Sequence, residues 1–203
     1  MITIYGMTNS GNCYKPRLLL AKLGVKFRHV ETASGAAGTK SSSFLARNPN
    51  GRVPLLEFED GRVLAESNAM LLHLAEGSRF LPADAYARAL AYQWLFFEQY
   101  SHEPYIAVRK ALLTFPERAR DATPERLAMT LERGHKALGV MNRYLENNAF
   151  FAGTAFSVAD IALYAYTHTA EQGGFQLDAY PAVVAWLGRV EADPGHVPIE
   201  WVG

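Results

Sequence analysis

The sequence predicts a two-part protein: an α/β domain built on a mixed four-stranded sheet, followed by an all-α helical bundle. Three observations carry this. Strand and helix signals alternate over roughly the first 75 residues, the pattern is helical thereafter, and "SRFLPAD" between them carries Pro, Asp and Ser as a linker does. The expected organisation is residues 1–78 as the first domain, 79–84 as linker and 85–203 as the helical domain.

In chain order, "ITIYGM" is a short β-branched and aromatic strand, "KPRLLLAKLG" has the apolar spacing of a helix ended by Gly24, and "KFRHVET" alternates in strand period. "SSSFLARNPNG" reads as a short helix and loop. "RVPLLEFED" and "RVLAES" form a hairpin around Asp60-Gly61, a favoured turn dipeptide. "SNAMLLHLAEG" reads as a helix capped by Ser67 and stopped at Gly77. βαβ followed by ββα is the thioredoxin-like order, and it predicts helices on both faces of the sheet. In the second part, "AYARALAYQWLFFEQYSHEPYIAVRKALL" is a long helix that Pro104 should bend or break. A second long helix starts with Thr123 as N-cap and Pro124 at its first position. "FSVADIALYAYTHTAEQGG" is apolar on nearly all sides and predicts a buried central helix, with Ser157 and Asp160 spaced as a capping box. A last helix, "YPAVVAWLGRVEADPG", ends at Pro194-Gly195.

Composition narrows the function classes. The 203 residues are 49% hydrophobic and 20% charged, with Lys+Arg and Asp+Glu both at 20, so the formal charge is zero and the basic footprint of a nucleic-acid binder is missing. No apolar run approaches the roughly 18–20 residues a membrane span needs, and "MITIYGM" lacks the regions of a signal peptide. A cytoplasmic location is the expectation. The single cysteine allows no internal disulfide, CxxC pair or thiolate zinc site, and the six histidines show no HxxxH or HExxH spacing. No metal is expected.

Three stretches bear chemistry. "MTNSGNCYKPR" offers Ser10, Asn12, Cys13 and Tyr14 at a helix start, where the dipole and unpaired N–H groups activate a nearby thiolate. In "GRVPLL", a cis peptide before Pro54 would leave the Val53 N–H and C=O facing outward, able to pair with a peptide-like ligand. In "AESNAMLL", Ser67 at a helix start suits a carboxylate and Glu66 suits an ammonium, together an amino-acid-like zwitterion. One tight hairpin joins the last two stretches, which brings them to the same edge of the sheet.

"NPNGRVPLLEFEDGRVLAESNAMLLHLAE", preceded by "SGNCYKPRLLLAKLG" and followed by "FAGTAFSVADIALYA", resembles the cytosolic glutathione transferase superfamily, particularly its bacterial members near the theta, zeta and beta classes. The resemblance spans essentially the whole chain. It implies that Val53 with Pro54 pairs the cysteinyl unit of glutathione, that Glu66 and Ser67 hold its γ-glutamyl end, and that Lys40 and Arg52 lie near the glycyl carboxylate. Glutathione would be a co-substrate, its thiol deprotonated by hydrogen bonds and by the helix field. Counting back from "LG", Ser10 falls where theta- and zeta-like members keep a catalytic Ser, and Asn12 falls where beta-like members keep a Cys. Cys13 matches neither position and reads as packing; Tyr14 does not match the tyrosine of the alpha, mu and pi classes. The expected donors are Ser10 first, with Asn12 assisting.

The second substrate implied is a small apolar electrophile, met by Tyr100, Tyr105 and Arg109 of "FEQYSHEPYIAVRK", with Thr167 and His168 as weaker candidates. The resemblance further implies a homodimer and a role in detoxification, without nucleic acid or membrane as partner. Alternatives are a glutathione-dependent disulfide reductase, a maleylacetoacetate-type isomerase, or a non-catalytic binding protein that keeps the fold.

Overall fold

The computed structural model describes all residues from Met1 to Gly203. The chain divides into two compact units, Met1–Glu76 with Pro194–Gly203, and Gly77–Asp193.

In the first unit, β1 (Ile2–Gly6) runs parallel to β2 (Phe27–Glu31) and antiparallel to β3 (Leu55–Glu57), which pairs in turn with β4 (Val63–Ala65), giving the order β2-β1-β3-β4. This is the mixed four-stranded, thioredoxin-like sheet. Helices α1 (Gly11–Leu23), α2 (Ser42–Arg47) and α3 (Ser67–Leu74) complete the unit, with α1 packed on α3. Ile4, Leu20, Phe27, Leu56 and Met70 form its core. Helix α1 closes at Gly24, whose left-handed φ of 67° suits a residue without Cβ, while Val25 N–H donates to Leu20 C=O across 2.9 Å.

Residues 194–203 were expected in the helical domain, yet they pack back onto the first unit. Side chains of α1 hold them: Tyr14 donates to Val197 C=O, and Arg17 Nη2 donates to Ile199 C=O across 2.9 Å. Trp201 then meets Phe27 edge-on at 5.5 Å. A short tail broken by Pro194, Gly195 and Pro198 carries no periodic signal, so these contacts were not visible in the pattern of the chain.

The second unit is helical: α4 (Ala85–Phe97), α5 (Glu103–Thr114), α6 (Pro124–Leu145), α7 (Val158–Thr167) and α8 (Pro181–Ala192). The long helix breaks ahead of Pro104, through a π turn over Glu98–His102 that separates α4 from α5. Pro104 sits in the first turn of α5, where its missing N–H has no intrahelical partner to lose. Helix α7 is the central one, buried along all its length except at Tyr166. The capping box forms at its start: Ala159 N–H donates to Ser157 Oγ at 3.2 Å, and Asp160 Oδ2 accepts from Ser157 N–H at 2.9 Å. Around it, Phe151 packs against Trp94, Trp186 and Tyr144 with ring centroids 4.5, 5.1 and 5.8 Å apart. No helix of the chain is long and apolar enough to cross a membrane.

Candidate functional site

Sheet register gathers three loops. Leu55 faces both Tyr5 of β1 and Ala65 of β4. The loop leaving β1, the Val53–Pro54 segment entering β3 and the Glu66–Ser67 step leaving β4 therefore share one end of the sheet.

In the first loop, Ser10 is the N-cap of α1, in extended conformation (φ −86°, ψ 123°). Helix α1 thus starts a turn earlier than the "KPRLLLAKLG" spacing indicated, and Asn12 and Cys13 lie in that first turn. Ser10 Oγ accepts from Cys13 N–H at 3.4 Å, and the Ser10 side chain also lies within hydrogen-bonding reach of the Cys13 sulfur. Cys13 is fully buried, with Sγ accepting from Met7 N–H at 3.3 Å. Burial pushes its thiol pKa up, against the opposing pull of Ser10, Met7 and Arg17. A neutral, enclosed thiol is not a ready nucleophile.

Ser67 behaves differently from a cap. The N-cap of α3 is Glu66, whose side chain makes no capping bond, and Ser67 is the first helical residue. Its hydroxyl turns inward, donating to Asn12 Oδ1 at 3.1 Å and accepting from Lys15 Nζ at 3.4 Å. Lys15 Nζ also donates to Asn68 Oδ1 at 3.2 Å, and Lys15 is wholly buried. One ammonium therefore ties α1 to α3 beneath the site. Lys15 and Asn68 were not foreseen, because a lysine in a helical run reads as a solvated side chain. Glu66 stands exposed above them with φ 67°, the chain's only non-glycine residue with positive φ. Such a backbone persists only where its surroundings impose it.

The bond between Val53 and Pro54 is cis. Neither the N–H nor the C=O of Val53 is taken by another backbone group. The preceding loop is fixed by Asn48, whose Nδ2 donates to Arg52 C=O at 2.8 Å and whose Oδ1 accepts from Asn50 N–H at 3.2 Å. Lys40 Nζ donates to Asn50 C=O at 3.2 Å. Only a glycine fits at Gly51 (φ 60°), because a Cβ there would lie 2.7 Å from Lys40 Nζ and 2.9 Å from Thr39 O. Arg52 itself is exposed.

Behind the first loop lies a polar brace that the sequence did not announce. Glu31 accepts from Thr8 N–H at 3.1 Å, from Thr8 Oγ1 at 2.7 Å and from His29 Nε2 at 3.0 Å. Partial burial pushes the Glu31 carboxyl up, but the Thr8 and His29 hydrogen bonds outweigh it and hold the pKa below the ordinary range. From the other side Arg17 Nη2 donates to Thr8 C=O at 2.6 Å. Burial lowers the Arg17 pKa, and its Nε and Nη1 are enclosed without a partner.

In the second unit, Tyr100 projects from the π turn with 83% of its surface exposed. Tyr105 OH accepts from Arg133 Nη1 at 2.8 Å. Arg109 is committed to its own unit, with Nε donating to Gly173 C=O at 2.6 Å and Nη1 to Leu127 C=O at 2.5 Å. Thr167 is buried, donating to Leu163 C=O at 2.7 Å and paired with His102 Nε2 at 2.8 Å. His168 stacks on Tyr164 at 4.7 Å.

A backbone pair at Val53, a carboxylate at Glu66 and a helix start backed by Ser67 thus stand at one end of the sheet of a thioredoxin-like protein. Comparison with known proteins narrows that class. The profile of the glutathione S-transferase N-terminal domain matches residues 1–76, and that of the C-terminal domain matches residues 88–194. The chain belongs to the glutathione S-transferase family. Among curated relatives, the disulfide-bond oxidoreductase YfcG of Escherichia coli K12 is 28% identical over 205 residues, covering 96% of this chain and 92% of that protein. The E. coli K12 glutathione S-transferase GstB is 28% identical over 199 residues, covering 96% and 95%. A glutathione S-transferase structure from Xanthobacter autotrophicus Py2 shares 49% identity at a TM-score of 0.94, covering 98% of this chain and 97% of that one. The theta class enzyme of Xanthomonas axonopodis pv. citri, solved with glutathione bound, shares 25% identity at a TM-score of 0.86, covering 96% and 94%.

Proposed function

We propose that this chain is a glutathione transferase that binds reduced glutathione at the shared sheet end, stabilises its thiolate and directs it at a small apolar electrophile. The observation that carries this reading is the Asn12–Ser67–Lys15–Asn68 network under the exposed, positive-φ Glu66. It sets a hydroxyl and a helix start against a carboxylate, the complement of the γ-glutamyl zwitterion. Val53 N–H and C=O pair the cysteinyl backbone, and Lys40 and Arg52 serve the glycyl carboxylate. That places the cysteinyl sulfur over the first loop, where Ser10 donates its hydroxyl proton to the thiolate and the start of α1 adds a favourable field. Asn12 acts mainly through Ser67.

For the electrophile, Tyr100 is the exposed candidate. Tyr105 and Arg109 are engaged with Arg133 and with the Gly173 and Leu127 carbonyls, so Arg109 acts as a brace of its own unit. A homodimer working in the reducing cytoplasm completes the reading.

The relation to a disulfide-bond oxidoreductase favours a second activity, reduction of mixed glutathione disulfides. With Cys13 enclosed, the attacking sulfur would belong to bound glutathione, which displaces the second thiol and leaves as glutathione disulfide. Calorimetric titration with glutathione tests the binding step: no heat and no thermal stabilisation at millimolar ligand would point to a non-catalytic protein. Turnover of an aryl halide against turnover of a mixed disulfide separates the two enzyme readings.

A further inference from the structure

The first loop runs from Gly6 at the end of β1 to Ser10 at the start of α1, and Met7 to Ser10 are all partly or fully exposed. Its backbone is nonetheless pinned. Gly6 C=O accepts from Thr32 N–H at 2.9 Å, Met7 N–H donates to Cys13 Sγ at 3.3 Å, and Met7 C=O accepts from Ser10 N–H at 3.2 Å. Thr8 is the most tightly held of these residues. The Glu31 carboxylate lies across its N–H, with Oε1 at 3.2 Å and Oε2 at 3.1 Å, and Oε2 also accepts the Thr8 hydroxyl at 2.7 Å. Arg17 Nη2 donates to Thr8 C=O at 2.6 Å, and His29 Nε2 at 3.0 Å fixes the carboxylate in turn. Hydrogen bonds to an ionised acceptor are roughly twice as strong as neutral ones.

The hydrogen-bond partners of this carboxylate, Thr8 and His29, are not among the residues assigned above to glutathione. Glu31 therefore reaches a bound thiolate by one of two routes: through Thr8, two residues from Ser10, or through its charge, which Arg17 and Cys13 on α1 and His29 on β2 also feel. The routes have opposite signs. A negative charge acting through space disfavours a thiolate, so neutralising it lowers the thiol pKa. A clamp that presents the Ser10 hydroxyl favours the thiolate, so loosening it raises the thiol pKa.

We propose, resting on the glutathione reading above, that Glu31 is a positioning residue for the thiolate donor, fixing Thr8 so that the Ser10 hydroxyl is held at the sulfur of bound glutathione. The test is a pH titration of the thiolate absorbance of bound glutathione in the full chain, beside kcat and KM. Glu31→Gln keeps the size of the side chain and removes the charged double acceptor. It should raise the thiol pKa by about one pH unit and lower kcat about tenfold, a fraction of what losing the donor itself costs, with KM for glutathione unchanged. Thr8→Val should move both values the same way by less, because the Thr8 N–H still meets the carboxylate, and Thr8→Ser should return them to those of the parent. Glu31 has 59% of its side-chain surface exposed, so Glu31→Gln opens no core, and a thermal melt of each variant checks this. A thiol pKa that falls or stays in place in Glu31→Gln, or a raised KM at unchanged kcat, would overturn the proposal while leaving the glutathione reading intact. A parent that binds glutathione without forming a thiolate, or does not bind it, overturns both.

Discussion

The Lys15 ammonium lies 3.4 Å from Ser67 Oγ, joining residues 52 positions apart inside the first unit. Removing that ammonium leaves Ser67 and Asn68 without their shared buried donor. Lys15→Met should weaken glutathione binding by about 2 kcal/mol, roughly thirtyfold in Kd, the worth of a charged hydrogen bond. Because Met fills the same volume without a buried charge, the melting temperature should change little. Calorimetry beside a thermal melt separates the two effects; unchanged affinity would remove Lys15 from the site.

Ser10 caps α1, and the proposed function adds a second duty as donor to the thiolate, so a single substitution reports both. Ser10→Ala should lower kcat/KM by about a hundredfold, the usual effect of losing one donor to a developing anion, and shift the thiolate limb of the pH profile upward. It should also cost about 1 kcal/mol of stability through the lost cap of α1. Asn12→Ala should instead raise the glutathione Kd, since Asn12 Oδ1 fixes the Ser67 hydroxyl, with a smaller movement of the profile. The reverse pattern would exchange the two roles.

Asp160 should make the helical unit pH-sensitive. Complete burial pushes its pKa up from 3.8 to about 6, against four donors that favour the carboxylate: Phe151 N–H, Trp186 Nε1–H, Ser157 N–H and Ser157 Oγ. With the folded pKa above the unfolded one, the native protein takes up the proton first. Stability from this group therefore rises as pH falls from about 6 towards 4, by on the order of 3 kcal/mol, and is flat above that window. Asp160→Asn should lose that slope and melt lower at neutral pH, because an amide NH2 then faces donors. Melting curves of both proteins across this range check the sign.

Cys13 should be inert in the native protein. Iodoacetamide should label it only after denaturation, since the side chain is fully buried and its thiol pKa is raised. Cys13→Ala should retain transferase activity while losing about 1 kcal/mol of packing. Loss of turnover with an intact fold would return the protein's own sulfur to the mechanism.

What the sequence displayed was what local chemistry writes. Gly24 closes a helix, Thr123-Pro124 opens one and Ser157 with Asp160 forms a box, because each needs only neighbours within a few positions. The hairpin and the positions of Val53, Glu66 and Ser67 were legible for the same reason. The role of Ser67 was not. A serine before an apolar run reads as a cap, but here its hydroxyl is spent on Asn12 and Lys15, and Glu66 takes the cap position with an unusual φ. The Thr8–Glu31–His29 brace and the Arg17 contacts likewise depend on strands and loops meeting across long separations, which no periodicity encodes.

The return of residues 194–203 makes the helical unit an insertion within the first one. During synthesis the strands and α1 emerge early, yet the carbonyls of Val197 and Ile199 that receive Tyr14 and Arg17 emerge after all five helices of the other unit. Arg17, which also donates to Thr8 C=O in the first loop, gains its Ile199 partner only then. The unit whose strands come first in the chain is thus closed by a segment that follows the whole of the other unit, and its first loop is held through Arg17 by that late segment.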